Sequence, residues 1–413
     1  MRARRIAAIS SGAIAAVTLG LPLAATADAG ASDTVAAAIA AATPIVNLRL
    51  RSETVGQDGF ADDADAVTMR ARLGVRTGTA WSTSLLAEGN FNWPLDARYN
   101  STTNHRFRYP VVPDPEDYAL NRLQLVNTAL ADTTITLGRQ RIDLDDQRFV
   151  GSVGFRQNEQ TFDSVRIVNR GIRDLTLDVA YFDRVNRVFG HESPVGHFDG
   201  NGYLAHAAYR TTVGVLTGFG YWLALHQDPA DSTRTIGVRF DGHRAWDGWR
   251  VRYAGTFARQ NPYGENPLHF ADQYYAGELS VDRAGASVAA GVEVMGGDGV
   301  KGFTTPLATL HKFDGWADVF LTTPANGVED RYATIGYAVA RVLALDRATL
   351  TASFHDFRAA RLGVHYGTES DLQILGRWHR VIGIIAFADY ARDRFGADTR
   401  KLWLEVDYSL NGE

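Results

Sequence analysis

Apolar and polar residues alternate along most of this chain, in segments of about ten residues separated by Gly, Asp, Asn and Pro. In segment 67–76, Val, Met, Ala or Leu occupies every odd position, whereas the even positions include Arg70, Arg72 and Arg76. Successive side chains of a β-strand point to opposite faces, so each such strand has one apolar face and one polar face. Many of these strands in series predict an all-β fold. The expected architecture is a transmembrane antiparallel β-barrel that turns its apolar face to lipid and its polar face to a wet lumen.

The pattern predicts about eighteen strands, and an even strand number is typical of single-chain bacterial barrels. Their predicted ranges are 45–54, 67–77, 82–93, 118–128, 133–142, 160–169, 173–184, 202–212, 214–226, 233–241, 248–260, 272–282, 285–296, 331–341, 348–357, 368–378, 381–391 and 400–409. Short turns such as 78–80 and 170–172 alternate with long polar connections such as 94–117 and 297–330. This alternation is typical of short periplasmic turns and long external loops, so it supports the barrel independently of the strand pattern.

A soluble β-sandwich or solenoid is the alternative architecture. Its inward faces would line a dry core, which requires aliphatic residues at those positions. In this chain one strand face carries Arg and Glu in segment after segment. Because a dry core does not accommodate such charges without partners, the membrane barrel is the favoured interpretation. The chain has no later window with the roughly 18 apolar residues of a transmembrane helix.

The N-terminus has the features of a secretory signal. A basic start at residues 2–5 precedes an apolar stretch at 6–23, and Ala25-Thr26-Ala27 fits the small-x-small cleavage rule. The expected divisions are a signal peptide at 1–27, a short periplasmic leader at 28–44, and an outer-membrane barrel at 45–410 with an inward or capping loop near 297–330. The expected location is therefore the outer membrane of a Gram-negative cell.

The polar strand faces carry arginine far more often than lysine, which occurs only at positions 301, 312 and 401. The luminal arginines that strand parity predicts are Arg49, Arg51, Arg70, Arg72, Arg76, Arg122, Arg166, Arg239, Arg250 and Arg252. Arginine keeps its charge at any physiological pH and holds carboxylates in a bidentate fork. Two interpretations remain open, because acidic residues share these faces. The arginines either brace the wall through ion pairs or form a cationic track for an anionic solute.

Two segments interrupt the alternation. The first follows Leu137, where Arg139 and Arg141 have the parity of outward-facing residues, so a bulge or the exit of the strand from the bilayer is expected there. The second runs from Phe303 to Gly327 and is too long and too apolar for an ordinary solvated loop. It predicts an inward constriction, a plug or a cap over the mouth. The gate residues expected in it are His311, Lys312, Asp314, Trp316 and Asp318.

These two segments also carry a family resemblance. Gly-Arg-Gln at 138–140, Gln-Arg-Phe-Val-Gly at 147–151 and Thr-Pro-Leu-Ala-Thr-Leu-His-Lys-Phe at 305–313 resemble the alginate-export family of outer-membrane porins. The resemblance implies an eighteen-stranded barrel that secretes a polyuronate such as alginate along an arginine-lined, loop-gated lumen. The pore or gate residues that it implies are Arg139, Arg141, Arg148, Arg156, Lys312 and Asp314.

Catalysis, metal binding and nucleic-acid binding find little support. Ser353 and His355 have luminal parity, whereas an outer-membrane phospholipase needs such a pair on the lipid-facing wall. His191 and His197 match no standard metal-ligand spacing. The absence of cysteine excludes disulfides, thiolate metal sites and thiol nucleophiles. We therefore expect no enzyme activity, no cofactor, no metal and no nucleic-acid partner.

The sequence thus predicts a channel for passive passage of anionic, carboxylate-bearing solutes or of a polyuronate. The alternatives are a general porin, an uptake channel for small aromatic acids or oligosaccharides, and an adhesin or enzyme barrel without transport. The expected partners are outer-membrane lipid, an anionic solute or polysaccharide, and periplasmic export or scaffold proteins.

Overall fold

Eighteen antiparallel strands form one closed barrel in the structure, a computed structural model that describes residues 34–411. The strands are β1 (Thr43–Gln57), β2 (Ala64–Arg76), β3 (Thr83–Arg98), β4 (Asp117–Asn127), β5 (Thr133–Gln140), β6 (Thr161–Asn169), β7 (Leu175–Asn186), β8 (His197–Arg210), β9 (Val215–Leu225), β10 (Thr233–Trp246), β11 (Trp249–Pro262), β12 (Asp272–Arg283), β13 (Ala286–Met295), β14 (Val328–Val342), β15 (Leu345–Arg358), β16 (His365–Trp378), β17 (Val381–Arg392) and β18 (Thr399–Ser409). Each strand pairs with its neighbours in the sequence, and β1 closes the sheet against β18. The predicted fold is confirmed, and the closed sheet leaves no unpaired edge. The expected signal peptide at 1–27 lies outside the described residues.

The outer surface of the barrel carries the apolar belt that the alternation predicts. On β1, Leu48 and Leu50 are 43% and 47% exposed on the outer face, whereas Arg51 on the same strand is buried on the luminal side. Such a belt matches the hydrocarbon layer of a bilayer, so the barrel spans the membrane through its strands. No helix among residues 34–411 is long and apolar enough to cross a membrane.

The predicted leader contains one short helix, α1 (Val35–Ala40), which begins where the Thr34 side chain accepts a hydrogen bond from the Ala37 amide. The backbone amide of Gly78, in the turn between β2 and β3, donates to the carbonyl oxygen of Ala38 at 2.8 Å. The helix therefore lies at the end of the barrel where the connections are short. By the asymmetry of known barrels this is the periplasmic end, and the long connections lie at the extracellular end.

Two long connections fold into the extracellular half of the lumen. Loop A (residues 141–160) joins β5 to β6, and loop B (residues 296–327) joins β13 to β14. The loops pair with each other through a parallel bridge between Val150 and Leu307, and the Gly151 amide donates to the Leu307 carbonyl oxygen at 2.9 Å. The two segments that interrupt the alternation therefore form one layered constriction.

An apolar core lies inside the barrel, where loops A and B pack against the wall. Its members include Phe162, Phe182 and Phe219 from the strands and Phe303 from loop B. The sequence pattern predicts a polar lumen, so this core was not expected. Tyr221, whose position near a strand end suggests an interfacial girdle, belongs to the core and is 3% exposed, because the odd residues of β9 face the lumen.

Candidate functional site

The arginines of β1 form ion pairs across the barrel seam with the acids of β18. Arg49 Nε lies 2.8 Å from an Asp407 carboxylate oxygen, and Arg51 Nε donates to Glu405 at 2.7 Å. Register places Arg49 opposite Asp407 and Arg51 opposite Glu405, so strand pairing alone brings these charges together. On β2, Arg70 lies 3.4 Å from Asp407. This part of the arginine track is therefore a wall of paired charges.

Loop A covers this wall and is held by it. The carbonyl oxygens of Gly154 and Phe155 accept hydrogen bonds from Arg49 at 3.1 and 2.9 Å. Arg156 extends from the loop to the Glu53 carboxylate of β1 at 2.9 Å. The side chains of Arg49, Arg156 and Glu53 are at most 11% exposed, so these contacts are shielded from solvent. The wall arginines therefore hold loop A in place. This agrees with the first of the two interpretations, in which the arginines brace the wall through ion pairs.

Glu159 of loop A is a second anchor. Its carboxylate accepts hydrogen bonds from Arg72 at 2.8 Å and from Arg141 at 2.7 Å. Burial opposes ionisation of this group, but Arg141 and Arg72 outweigh the cost and hold the pKa of Glu159 well below its ordinary value. The predicted pore arginines Arg72 and Arg141 therefore meet at one loop carboxylate.

Other predicted luminal arginines are also paired with acids on the same wall. Their contacts are Arg122 with Glu88 at 2.7 Å, Arg166 with Asp178 at 2.5 Å and Arg252 with Asp282 at 2.9 Å. Arg76 and Arg250 lie near the periplasmic ends of β2 and β11. Arg122 lies directly opposite Glu88, whereas Arg166 and Arg252 contact acids diagonal to them on the neighbouring strand, and all three ion pairs stabilise the sheet locally.

Arg139 is an exception, because the structure places it on the outer face rather than in the lumen. Its guanidinium pairs with Asp163 of β6 at 2.7 Å, and both side chains share the parity of lipid-facing residues such as Leu137 and Val165. The neighbouring Gln140 is buried on the luminal side. The expectation of a luminal Arg139 was wrong, because no bulge reverses the alternation before the end of β5.

Asp318 of loop B contacts three basic side chains. Its carboxylate lies 2.8 Å from His311 Nδ1, 3.1 Å from Arg156 and 2.6 Å from Lys401 of β18. Burial opposes ionisation of Asp318, but His311 and Lys401 hold its pKa well below the ordinary value. The predicted gate residues His311 and Asp318 therefore fasten loop B to loop A and to the wall.

Arg148 of loop A carries the other connection to loop B. Its buried guanidinium contacts the carboxylates of Glu293 on β13 and Asp314 on loop B, the latter at 2.8 Å. Burial raises the pKa of Asp314 to about 6, and the adjacent Arg148 opposes this rise. Trp316, two residues further along loop B, is buried in the apolar core.

An open cavity of about 220 Å³ remains between loop B and strands β10 to β15. Lys312 and Arg239 are the lysine and arginine that line it. Arg239 pairs with Asp146 of loop A at 2.6 Å. The Lys312 ammonium donates to the Asp146 carbonyl oxygen at 2.9 Å, and no carboxylate oxygen of residues 34–411 lies within 4.0 Å of it. Burial lowers the pKa of Lys312, so an anion arriving in the cavity would stabilise its charge.

Sequence reasoning missed the wall of this cavity. Its lining includes small residues at the luminal positions of neighbouring strands, namely Thr256, Ala276, Ala289, Thr334 and Ser353. Small side chains leave space where longer ones would meet loop B. A scan of luminal positions for runs of small residues would have found this side of the barrel.

The structure places the set-aside catalytic and metal candidates in polar contacts of other kinds. His355 Nδ1 lies 2.8 Å from Asp330, and the Ser353 hydroxyl is 2.9 Å from Thr334, so Ser353 and His355 do not form a nucleophile–base pair. His191 contacts Asp117. Within residues 34–411, no group of three or more His, Asp or Glu side chains has an arrangement suited to a metal ion.

Solved outer-membrane proteins share this fold at low sequence identity. Pseudomonas aeruginosa OccK9 (OpdG) matches with a TM-score of 0.68 and 18% identity, over 90% of this chain and 99% of that one. OpdK, an outer-membrane protein of the same species solved with vanillate, matches with a TM-score of 0.66 and 17% identity over 89% and 98% of the two chains. OccK2 (OpdF) in complex with glucuronate matches with a TM-score of 0.63 and 16% identity over 89% and 96%.

No model of a known protein family and no curated sequence matches the chain. The structural likenesses agree with the predicted porin architecture and not with the alginate-export family in particular. This chain therefore has the eighteen-stranded fold of a Gram-negative outer-membrane porin.

Proposed function

We propose that the protein is an outer-membrane channel through which small anionic solutes bearing a carboxylate pass passively. The observation that carries the proposal is the cationic side chain of Lys312 at the open cavity beside loop B. An ammonium has three donors, and the Asp146 carbonyl oxygen takes one of them. The other donors are available to a solute in the lumen.

Arg239 adds a second cation to the same cavity. Its partner Asp146 keeps a side-chain exposure of 28%, so this ion pair borders the water-filled space. A solute carboxylate near both cations gains about 4 kcal/mol per unit charge pair at 4 Å and an effective dielectric of 20, before its desolvation is subtracted. A few weak contacts of this kind allow binding without trapping, as conduction requires.

Two of the solved proteins with this fold were crystallised with carboxylates, vanillate in OpdK and glucuronate in OccK2. These ligands belong to those proteins, but their shared chemistry agrees with a carboxylate solute for this chain. Among the cations at this cavity, Arg239 is paired with Asp146 whereas the Lys312 ammonium has no carboxylate partner, so selection falls to this ammonium rather than to the whole arginine track.

The sequence motifs in loops A and B extend this proposal to uronate oligomers. A polyuronate repeats one carboxylate per sugar, so successive sugars of the polymer would pass the Lys312 and Arg239 cations in turn. Block that strengthens with oligomer length would support this extension. Block by the monomer alone would restrict the function to small solutes.

The reversal potential of the channel in a planar bilayer with a KCl gradient tests the main proposal. We expect anion preference in the unmodified protein and a clear loss of it in Lys312→Gln. Lys301→Gln is the matched control. Lys301 lies in the same loop, but its ammonium is 2.5 Å from the Asp231 carboxylate and does not line the cavity. Equal selectivity in all three proteins would favour a general porin, and a barrel without conductance would favour a non-transport role.

A further inference from the structure

A groove on the outer surface of the barrel lies outside the lumen. It is formed by β10, β11 and the connection at 263–271, and its volume is about 960 Å³. Ile236, Val238 and Phe257 give it an apolar floor, and Arg234 and Arg259 stand at its extracellular end. None of these side chains takes part in the proposed transport.

Strand register fixes the position of the two arginines. Arg234 lies opposite Asn261, and Arg259 lies opposite Ile236, so the two arginines are diagonal neighbours on one face. Their sequence neighbours Thr235 and Ala258 are buried on the luminal side. Diagonal cross-strand side chains of this length are close enough to hold one anion between them.

These two arginines differ from others on the outer face. Arg331 of β14 pairs with Glu329 at 2.5 Å, and Arg139 pairs with Asp163 as described above. Arg234 and Arg259 are exposed, and neither has an ion-pair or hydrogen-bond partner in the described part of the chain. Two unpaired guanidinium groups therefore lie side by side at the rim of an apolar groove.

The position of Arg234 and Arg259 relative to the apolar belt indicates which layer of the membrane they face. Phe257 and Tyr275 are opposite one another and are 46% and 47% exposed at the extracellular border of the belt. The next outward residues on the same strands are Arg259 and Gln273. The guanidinium groups therefore lie where acyl chains give way to the headgroups of the outer leaflet.

We propose that this groove binds a phosphorylated lipid of the outer leaflet. An acyl chain lies along Ile236, Val238 and Phe257, and a headgroup phosphate accepts hydrogen bonds from Arg234 and Arg259. The planar guanidinium matches phosphate oxygens in a bidentate geometry. The apolar floor of the groove contacts the acyl chain of the same lipid. A soluble carboxylate would use only the cationic half of this surface.

Native mass spectrometry of the detergent-solubilised protein with bisphosphorylated lipid A tests the proposal. We expect the double variant Arg234→Gln/Arg259→Gln to bind this lipid at least about tenfold more weakly than the unmodified protein, since its phosphate loses two charge-assisted hydrogen-bond partners. Enzymatic removal of both lipid phosphates should weaken binding to the unmodified protein by a similar factor.

The matched control is Arg331→Gln/Arg400→Gln, which removes two charges from the same outer face but from pairs with Glu329 and Asp389. This control should bind the lipid as the unmodified protein does. Undiminished binding in the Arg234/Arg259 variant, or equal binding of the dephosphorylated lipid, would overturn the proposal. Channel conductance should be the same in all of these proteins, so the result is independent of the transport function.

Discussion

The imidazole of His311 stacks on the ring of Phe155 with a centroid distance of 3.6 Å, which joins loop B to loop A inside the barrel. Trp403 of β18 packs edge-on against both rings, at 5.5 Å from His311 and 6.0 Å from Phe155. The guanidinium of Arg51 lies 4.2 Å from the centroid of the Phe155 ring. An aromatic contact therefore joins the two loops inside the lumen, in addition to the ion pairs of the wall.

Replacing Phe155 with Ala should widen the channel. The change removes the ring that His311 and Arg51 contact. Phe155 is half-buried, so the cost lies below the roughly 3–5 kcal/mol of truncating a fully buried Phe. We expect higher single-channel conductance and more frequent current fluctuations. Phe107→Ala is the control, because Phe107 is 70% exposed on another loop. Unchanged conductance in Phe155→Ala would show that the loops keep their positions without this contact.

Replacing Arg148 with Met should destabilise the attachment of loop B. The variant leaves the buried carboxylates of Glu293 and Asp314 without their guanidinium partner, and breaking a buried pair in this way costs about 3–5 kcal/mol. We expect trypsin or a similar protease to cleave within 296–327 much faster than in the unmodified barrel. A second replacement, Asp314→Asn, should restore part of the resistance; cleavage at the original rate in Arg148→Met alone would contradict this account.

Anion preference should rise as the pH falls from 7 to 5. Burial raises the pKa of Asp314 to about 6, so its carboxyl gains a proton in this range and the cavity loses a negative charge. Since this pKa is raised above that of an unfolded Asp, the same protonation also stabilises the folded protein, and this gain is lost as the pH rises through about 6. Arg148, Asp330, His355 and Glu293 are the charged neighbours of this group.

The reversal potential measured across this pH range checks the assignment. Asp314→Asn should show at pH 7 the selectivity that the unmodified channel has at pH 5, and its own selectivity should vary much less with pH. A pH response of the same size in the variant would assign the titration to another group.

Arg139→Gln should leave the ion selectivity unchanged. Arg139 pairs with Asp163 on the outer face, so its charge does not border the lumen. We expect the reversal potential to stay within the error of the unmodified channel, with at most a small loss of stability from the broken surface pair. A marked shift in selectivity would place this side chain in the lumen after all.

The strands were predictable because the pattern that defines them is local. In β2, each residue reveals its face by its own polarity, and the predicted segment 67–77 differs from Ala64–Arg76 only at its ends. In the extracellular half of the lumen, polarity alone did not predict which residues face inward. There Phe219 and Tyr221 face inward on the same parity as Thr217, because loops A and B fill the space with apolar side chains.

The candidate site was predictable only in part, because its contacts join residues far apart in the sequence. The gate residue Lys312 was identified from its motif, but its position at the cavity depends on small residues such as Ala276 and Ser353 on distant strands. Likewise, the pairing of Arg156 with Glu53 and Asp318 depends on the fold of loop A. The charge pattern of the strands predicted most of the luminal arginines, but it did not predict which of them form ion pairs with the protein's own acids.

Current block by glucuronate, compared with glucose as a neutral sugar of similar size, tests the central claim most directly. The unmodified channel in a planar bilayer should be blocked by glucuronate in a concentration-dependent way and unaffected by glucose. In Lys312→Gln the apparent affinity for glucuronate should fall by about tenfold, the value of one charged hydrogen bond. Equal block by both sugars, or equal glucuronate block in both proteins, would contradict a carboxylate channel that selects its solute at Lys312.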